Sequence, residues 1–201
     1  MAKKPDAKVI IGLPVTESGT MKARTAHSIG CAIVGAGGIV TDFLLRLSCD
    51  IVSSRTWLVQ EAIKRGATHL LFVDSDMMFP EDTIPRLLAH DKEIVAAEYN
   101  KREFPLTLVS KPLEERKENE LYKASHAGTG LMLIKLSIFE KLGKPSEDHP
   151  RGNPWFSFGR DSQGALVMGE DVWFCNVARD AGFDTWIDPT IKVGHVGEYV
   201  Y

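Results

Sequence analysis

The stretch His69-Leu70-Leu71-Phe72-Val73-Asp74-Ser75-Asp76 is an apolar run that stops on two carboxylates one residue apart. A buried strand ending this way delivers Asp74 and Asp76 to the rim of a sheet, where hard oxygen ligands can hold a divalent cation against phosphates. The same residues also suit a solvated turn or an N-cap for the next helix. A second acid pair, Glu170-Asp171, follows Gly169 at the start of a helical pattern. It fits general acid–base work, and equally the preference of a helix amino terminus for negative charge. Arg55, near the start of another helical pattern, offers a fixed donor fork to a nucleotide or its phosphates. Trp155 and Phe156 lie in a Pro-, Gly- and charge-rich segment and can stack on a sugar ring or a base, whereas Trp173 and Trp186 read as packing aromatics. Gly128 and Gly130, around Thr129, mark either a backbone that a ligand approaches closely or a plain bulge.

These residues need a scaffold, and the hydrophobic pattern supplies one. Lys8 to Val15 reads as a buried strand ended by a proline and small polar residues, the kind of strand end where ligand loops sit. A helix over residues 22 to 35 and a strand from Thr41 to Leu47 follow. Ser53 to Arg65 is a helix with Leu58, Ala62 and Ile63 on one face and Gly66 as its stop. After the Asp-Ser-Asp strand, Pro80-Glu81-Asp82 opens a helix to about His90, and Glu93 to Glu98 is a further strand. Strands and helices alternating in this way imply right-handed crossovers and a mostly parallel sheet whose ligands gather at its carboxyl edge, where Asp74 and Asp76 lie.

The second half reads differently. Leu106 to Ser110 and Glu120 to Ala124 are expected to pair around a charged hairpin from Lys111 to Asn119, with Thr129 to Ile134 as another apolar strand and Ser137 to Leu142 as a short helix. The segment between Gly143 and Gly164 is longer than most structureless connections and is expected to be a mobile active-site loop. A helix from Val172 to Ala181 closed by Gly182, and short strands around Asp184 to Ile187 and Ile191 to Val196, complete the chain. No internal repeat and no domain boundary is visible.

Composition excludes several classes. The 201 residues suit one domain, and 44% hydrophobic content supplies a core. The 24 basic and 27 acidic side chains nearly cancel, so bulk charge does not drive polyanion binding. The amino terminus lacks the layout of a signal peptide, and no stretch reaches the roughly 18 apolar residues of a membrane span. Cys31, Cys49 and Cys175 form neither a paired framework nor a Cys-x-x-Cys spacing. The expectation is an intracellular, reduced, cytoplasmic protein.

Taken together, Leu13-Pro14-Val15, Ser54-Arg55-Thr56, Phe72-Val73-Asp74-Ser75-Asp76-Met77, Gly128-Thr129-Gly130, Gly169-Glu170-Asp171 and Gly194-His195-Val196-Gly197 recur in an order and spacing that resembles GT-A glycosyltransferases. The likeness is to small family-2-like enzymes of the bacteriophage type and covers nearly the whole chain from Lys8 to Tyr201. The resemblance implies one α/β domain over residues 1–201, a Rossmann-like α/β/α sandwich with a mixed, mostly parallel central sheet. Residues from about 8 to 100 would bind a nucleotide sugar, UDP-sugar foremost, and those from about 101 to 201 an acceptor. It further implies manganese, or magnesium, held by Asp76, by Asp74 directly or through water, and by His195. Pro14, Val15 and Thr16 would cradle the base, with Arg55, Asp74 and Ser75 on the rest of the nucleotide. Asp171 would be the general base of an inverting enzyme and Glu170 a group that positions the acceptor, although retaining relatives share such metal sites. Trp155, Phe156, Gly128 and Thr129 would meet the acceptor.

That acceptor is a glycan, a protein, a small molecule, or a hydroxymethylated base in phage DNA, in which case the enzyme would work in the host cytoplasm. For DNA, Lys101, Arg102, Lys111, Arg116, Lys117 and Lys123 are the available phosphate contacts, or else a solvated charged hairpin. The chain ends four residues after Gly197, which leads to the expectation of no additional acceptor module and no processive polymerisation. Two other classes stay open. A non-catalytic nucleotide-sugar-binding module would need no Glu170-Asp171 pair. A nucleotidyltransferase should carry a Gly-rich, basic triphosphate loop after the first strand, and Gly12-Leu13-Pro14-Val15-Thr16-Glu17 is not one.

Overall fold

A computed structural model describes residues 7–144 and 155–197. Strand β1 (Val9–Val15) is buried at all seven positions, as a continuous apolar run between two helical layers must be. Helix α1 (Ala23–Gly35) leads to β2 (Val40–Leu47), and α2 (Ile51–Lys64) is capped by Asp50, whose carboxylate accepts the Val52 amide at 3.0 Å. Next come β3 (His69–Val73), the two-residue β4 (Met77–Met78), α3 (Thr83–Ala89) and β5 (Ile94–Ala97). The second half holds β6 (Lys111–Pro112), β7 (Tyr122–His126), β8 (Leu131–Lys135), α4 (Ile138–Leu142), β9 (Gly159–Arg160), β10 (Leu166–Met168), α5 (Glu170–Asp180), β11 (Thr185–Asp188) and β12 (Gly194–His195).

Eight strands form one mixed sheet in the order β2-β1-β3-β8-β5-β11-β7-β6. β8 enters antiparallel between β3 and β5, and β7 runs antiparallel to β11 and β6; the other six strands point one way. The two halves of the chain are therefore interleaved within one sheet. Its faces carry separate cores. One packs Ile29 and Ala32 of α1 and Ile84 and Leu87 of α3 against Ile11, Leu13, Leu71 and Val73. The other packs Leu58 and Ala62 of α2, Phe139 of α4 and Phe174 and Ala178 of α5 against Ile10, Leu70, Phe72 and Met132. The result is the expected single-domain α/β/α sandwich. Among the described residues no helix is long and apolar enough to cross a membrane.

Three sequence expectations change. Leu106 to Ser110 is not a strand: residues 99–109 fold back on themselves, with the Lys101 amide on the Thr107 carbonyl (2.8 Å), the Val109 amide on the Tyr99 carbonyl (3.1 Å) and one bridge from Asn100 to Leu108. Pro105 sits in this turn without an amide to donate, and the strand that flanks β7 on the side away from β11 is Lys111–Pro112 instead. The segment expected as a mobile loop is in part core: Trp155 and Phe156 are buried, and β9 pairs with β10; its residues 145–154 lie outside the described residues. The last strand is only Gly194–His195, and it joins β4 rather than the main sheet.

Candidate active site at the carboxyl edge of the sheet

Parallel pairing of β1 with β3 brings their carboxyl ends to one edge, so Pro14, Val15 and Thr16 stand beside Asp74, Ser75 and Asp76. The turn after β3 is fixed by its backbone. The Asp74 amide donates to the Gly130 carbonyl (2.9 Å), the Lys22 amide to the Ser75 carbonyl (2.9 Å) and the Val196 amide to the Asp76 carbonyl (2.8 Å). With the backbone held on three sides, the two carboxylates project in defined directions.

Asp76 meets His195. Antiparallel pairing of β12 with β4 sets His195 opposite Met77 and brings its Nε2 to 3.4 Å from Asp76 Oδ1. His195 Nδ1 donates to the Asn100 carbonyl at 3.1 Å, and the ring packs edge-on to Tyr99 with centroids 5.7 Å apart. The hydrogen bond with Asp76 holds the imidazole above the ordinary histidine range. Burial alone would push Asp76 up, but the His195 hydrogen bond and the charges of His195 and Arg102 outweigh it, so its carboxyl lies below the usual value. Its other oxygen, Oδ2, forms an ion pair with Arg102 Nη1 at 2.9 Å.

Asp74 is committed differently. Arg55, on α2 and buried, donates from Nη2 to Asp74 Oδ1 and from Nε to Glu170 Oε1, both at 3.1 Å, while its guanidinium lies 5.4 Å over the Phe72 ring. Desolvation would weaken the charged guanidinium, but Asp74, Glu170 and Asp171 more than offset it and hold it firmly protonated. Among the described residues Nη1 finds no hydrogen-bond partner, and it is shielded from solvent. Arg55 is thus a bridge between Asp74, just past β3, and the first turn of α5, whereas the sequence had offered it to phosphates.

Asp171 accepts its neighbour Val172's amide at 2.7 Å at the start of α5, whose cap is Gly169. Burial first, and the Glu170 charge second, push its carboxyl above the ordinary carboxylate range despite Arg55 nearby. A side chain at Gly169 would place its Cβ 2.7 Å from Asp171 Oδ1, so the glycine leaves room for that carboxylate.

Two adjoining clefts open here. One, of about 400 Å³, is lined by Pro14, Val15, Thr16, Arg55, Asp74, Ser75, Asp76 and His195 among others, and so collects all six residues expected to hold the nucleotide. The other, of about 660 Å³, lies among Asp74, Tyr99, Lys101, Arg102, Asp171 and His195. Its carboxylate with raised proton affinity thus faces the same space as the Asp76–His195 side.

The three expected metal ligands do not converge as a set: among the described residues no three acid, histidine or cysteine side chains gather as a metal cage. Asp76 and His195 are adjacent, and Asp74 is turned to Arg55. The pair nevertheless fits a divalent ion that takes its remaining ligands from phosphates. A carboxylate and an imidazole suit manganese, and the Nδ1–H on a backbone carbonyl leaves Nε2 as the ligating nitrogen; a bound ion would compete with the Arg102 guanidinium for Asp76.

The acceptor expectation is corrected. Trp155 packs on Phe139 and donates Nε1–H to the Gly143 carbonyl (2.7 Å), and Phe156 stacks on Phe174 with centroids 4.9 Å apart. Thr129 is buried, and Gly128 lies so close beneath Tyr99 and Val109 that a Cβ there would overlap both. The glycines serve close packing: a Cβ on Gly130 would stand 2.6 Å from the Tyr99 hydroxyl, which accepts the Gly130 amide at 3.0 Å. None of the four offers an open surface to an acceptor. Of the basic residues weighed for DNA, Lys101 pairs with Glu103, Arg102 with Asp76, Arg116 with Glu98, Lys117 with Glu120 and Lys123 with Asp184, so their charge is largely balanced by this chain's own acids.

No protein-family description matches the sequence, and no curated protein matches it. Solved structures do match. A197 from STIV superposes with a TM-score of 0.63 at 14% identity, over 95% of this chain and 86% of that one. GalNAc-T7, solved with UDP, GalNAc and Mn2+, gives a TM-score of 0.55 at 12% identity over 94% of this chain. This chain spans 44% of the GalNAc-T7 chain.

The fold is GT-A-like. Within this GT-A-like domain, two residues escaped the sequence reading as part of the site. Tyr99, two residues beyond β5, is buried between His195 and the Gly128–Gly130 backbone, and burial first, then the Asp74 charge, drives its phenol far above the ordinary tyrosine range. Its place just past a buried parallel strand was the available signal. Arg102 was weighed as a DNA phosphate contact or a solvated charge, and nothing in its sequence neighbourhood announces that the 99–109 turn carries it to Asp76.

Proposed function

We propose that this chain is a metal-dependent glycosyltransferase that moves a sugar from a nucleoside-diphosphate sugar, with UDP as the favoured nucleotide, to an acceptor hydroxyl. The observation that carries the reading is the single sheet edge that joins the Asp76–His195 pair, the Asp74–Arg55–Glu170 bridge and Asp171 around two adjoining clefts. The GalNAc-T7 structure, which holds UDP and Mn2+, supports it by fold.

Asp76 and His195 would hold manganese or magnesium, which when bound supplies positive charge against the departing diphosphate. The nucleotide would lie against Pro14, Val15, Thr16 and Ser75, in a donor half near residues 8–100 that takes His195 from the other half. Arg55 fixes the carboxylates of Asp74 and Glu170 relative to each other, so the donor side and the acid pair keep one geometry. Asp171 acts as the base: its buried carboxylate has raised proton affinity and faces the larger cleft, where it takes the proton of the acceptor hydroxyl. Glu170, held by Arg55, orients Asp171's surroundings and the acceptor. The acceptor half, about residues 101–201, would present its sugar, protein, small-molecule or modified-base hydroxyl through the cleft beside Lys101 and Arg102.

The test is release of nucleoside diphosphate from a panel of nucleotide sugars by the purified chain with manganese, with magnesium and with chelator. Metal-dependent release from one donor, abolished by Asp171→Asn, supports the reading. Donor binding without release by either protein, with any acceptor class supplied, would instead make this a nucleotide-sugar-binding module.

A further inference from the structure

Asp76 faces two basic side chains, one on each oxygen: His195 Nε2 lies 3.4 Å from Oδ1 and Arg102 Nη1 2.9 Å from Oδ2. The three residues are not held alike. The Asp76 backbone is tied to Val196, and His195 is fixed by strand pairing and by the Asn100 carbonyl. Arg102 belongs to the outer part of the 99–109 turn. The hydrophobic cores reach that turn only at its base, where Tyr99 and Val109 pack, and none of residues 101–107 joins them. The Arg102 side chain is 54% exposed, so its ion pair with Asp76 is one that water weakens and another cation can replace. Releasing Asp76 requires only a change of rotamer in Arg102.

Its position gives this arginine a second use. Among the described residues the two clefts share Asp74, Arg102 and His195 in their linings, so Arg102 stands where the nucleotide side meets the acceptor side. A departing diphosphate belongs at that junction, because the bond that breaks joins it to the sugar that the acceptor attacks. The other arginine of the donor cleft, Arg55, is buried and committed to Asp74 and Glu170. Arg102 is therefore the guanidinium of these clefts that can offer its planar fork to phosphate oxygens. We propose, in an inference that rests on the metal-dependent transferase reading, that Arg102 exchanges partners: it neutralises Asp76 until a divalent ion takes that carboxylate, and then binds the diphosphate of the donor. Metal and nucleotide are thereby coupled. The ion alone must displace the guanidinium, whereas in the presence of the nucleotide the displaced guanidinium gains a new anion.

Calorimetric titration of the full chain, with manganese alone and then with UDP in excess manganese, tests this on Arg102→Ala. Manganese alone should bind the variant about two- to fivefold tighter than the parent, the range in which an exposed ion pair is lost. UDP in manganese should bind it about tenfold more weakly, as for a lost charge-assisted phosphate contact. The two shifts have opposite signs, whereas a structural role for Arg102 would weaken both and a solvated charge would move neither. Arg102→Lys keeps the charge without the fork, so it should return manganese affinity toward the parent value and recover UDP affinity only in part. Lys101→Ala removes a positive charge from the same cleft without breaking the Asp76 pair, and its manganese affinity should stay within about twofold of the parent. Manganese affinity that is not tightened in Arg102→Ala, or is tightened equally in Lys101→Ala, overturns the inference, as does unchanged UDP affinity in Arg102→Ala; each leaves the transferase reading in place. A parent chain that binds neither manganese nor UDP overturns that reading and the inference together.

Discussion

Arg55 and Glu170 stand 115 residues apart in the chain and meet at 3.1 Å inside the protein. The same guanidinium holds Asp74, so the first turn of α5 is tied to the end of β3 through one side chain. Among the described residues neither carboxylate has another cation as well placed, and Arg55 is almost wholly out of water.

Removing that cation leaves two acids facing each other at the site. Arg55→Ala is expected to destabilise the fold by roughly 3–5 kcal/mol, the range for breaking a buried ion pair by deleting one partner. Urea unfolding measures it. Arg55→Lys restores charge but cannot reach both acids with a planar fork, so it should regain much of the stability while kcat stays low. Equal kcat in Arg55→Lys and the parent would show that the bridge does not align the acids.

Asp171 carries a trade between stability and chemistry. Its carboxyl is raised by burial and by Glu170, so the folded state disfavours the ionised form relative to the unfolded chain. The sign follows: the cost is absent below the unfolded value near 3.8 and complete above the raised folded value. Asp171→Asn should therefore raise the melting temperature at neutral pH, with a gain that fades as pH falls toward the ordinary aspartate range, while turnover collapses. On the proposed function, the rate of the parent chain should climb with pH through the same raised value. A variant that melts lower at neutral pH would show that the buried charge is stabilised rather than strained.

Much of this edge was legible in the sequence. The apolar run into Asp74-Ser75-Asp76 predicts a buried strand ending on acids because a parallel strand covered on both faces has no polar alternation to show. Pro14 to Thr16 lie beside it because parallel pairing puts strand ends together. The Arg55–Glu170 contact was not legible, since an arginine at a helix start looks the same whether it awaits a phosphate or a buried acid from a distant helix. The insertion of β8 antiparallel between β3 and β5 was equally hidden, as periodicity reports the face of a strand and never its neighbour. Trp155 and Phe156 misled because a segment rich in Pro, Gly and charge gives no period from which burial can be read.

Those two aromatics yield a further expectation. Phe156 contacts Phe72 and Phe174 in the core, so Phe156→Ala should cost about 3–5 kcal/mol as a large-to-small substitution. Trp155→Phe keeps an aromatic ring but loses indole volume and the hydrogen bond to the Gly143 carbonyl, costing about 1 kcal/mol or more. Once an acceptor is known, its KM should be unchanged in Trp155→Phe. A raised KM with an unaltered melting temperature would return Trp155 to acceptor binding.

Calorimetric titration of UDP, in manganese and again in chelator, tests metal-dependent donor binding most directly. The parent chain should bind at least about tenfold tighter with manganese, about 1.4 kcal/mol, and Asp76→Ala should show the same weak affinity in both buffers. UDP affinity that is indifferent to manganese in the parent, or unchanged by Asp76→Ala, would contradict the role of Asp76 and His195 and with it the metal-dependent transferase.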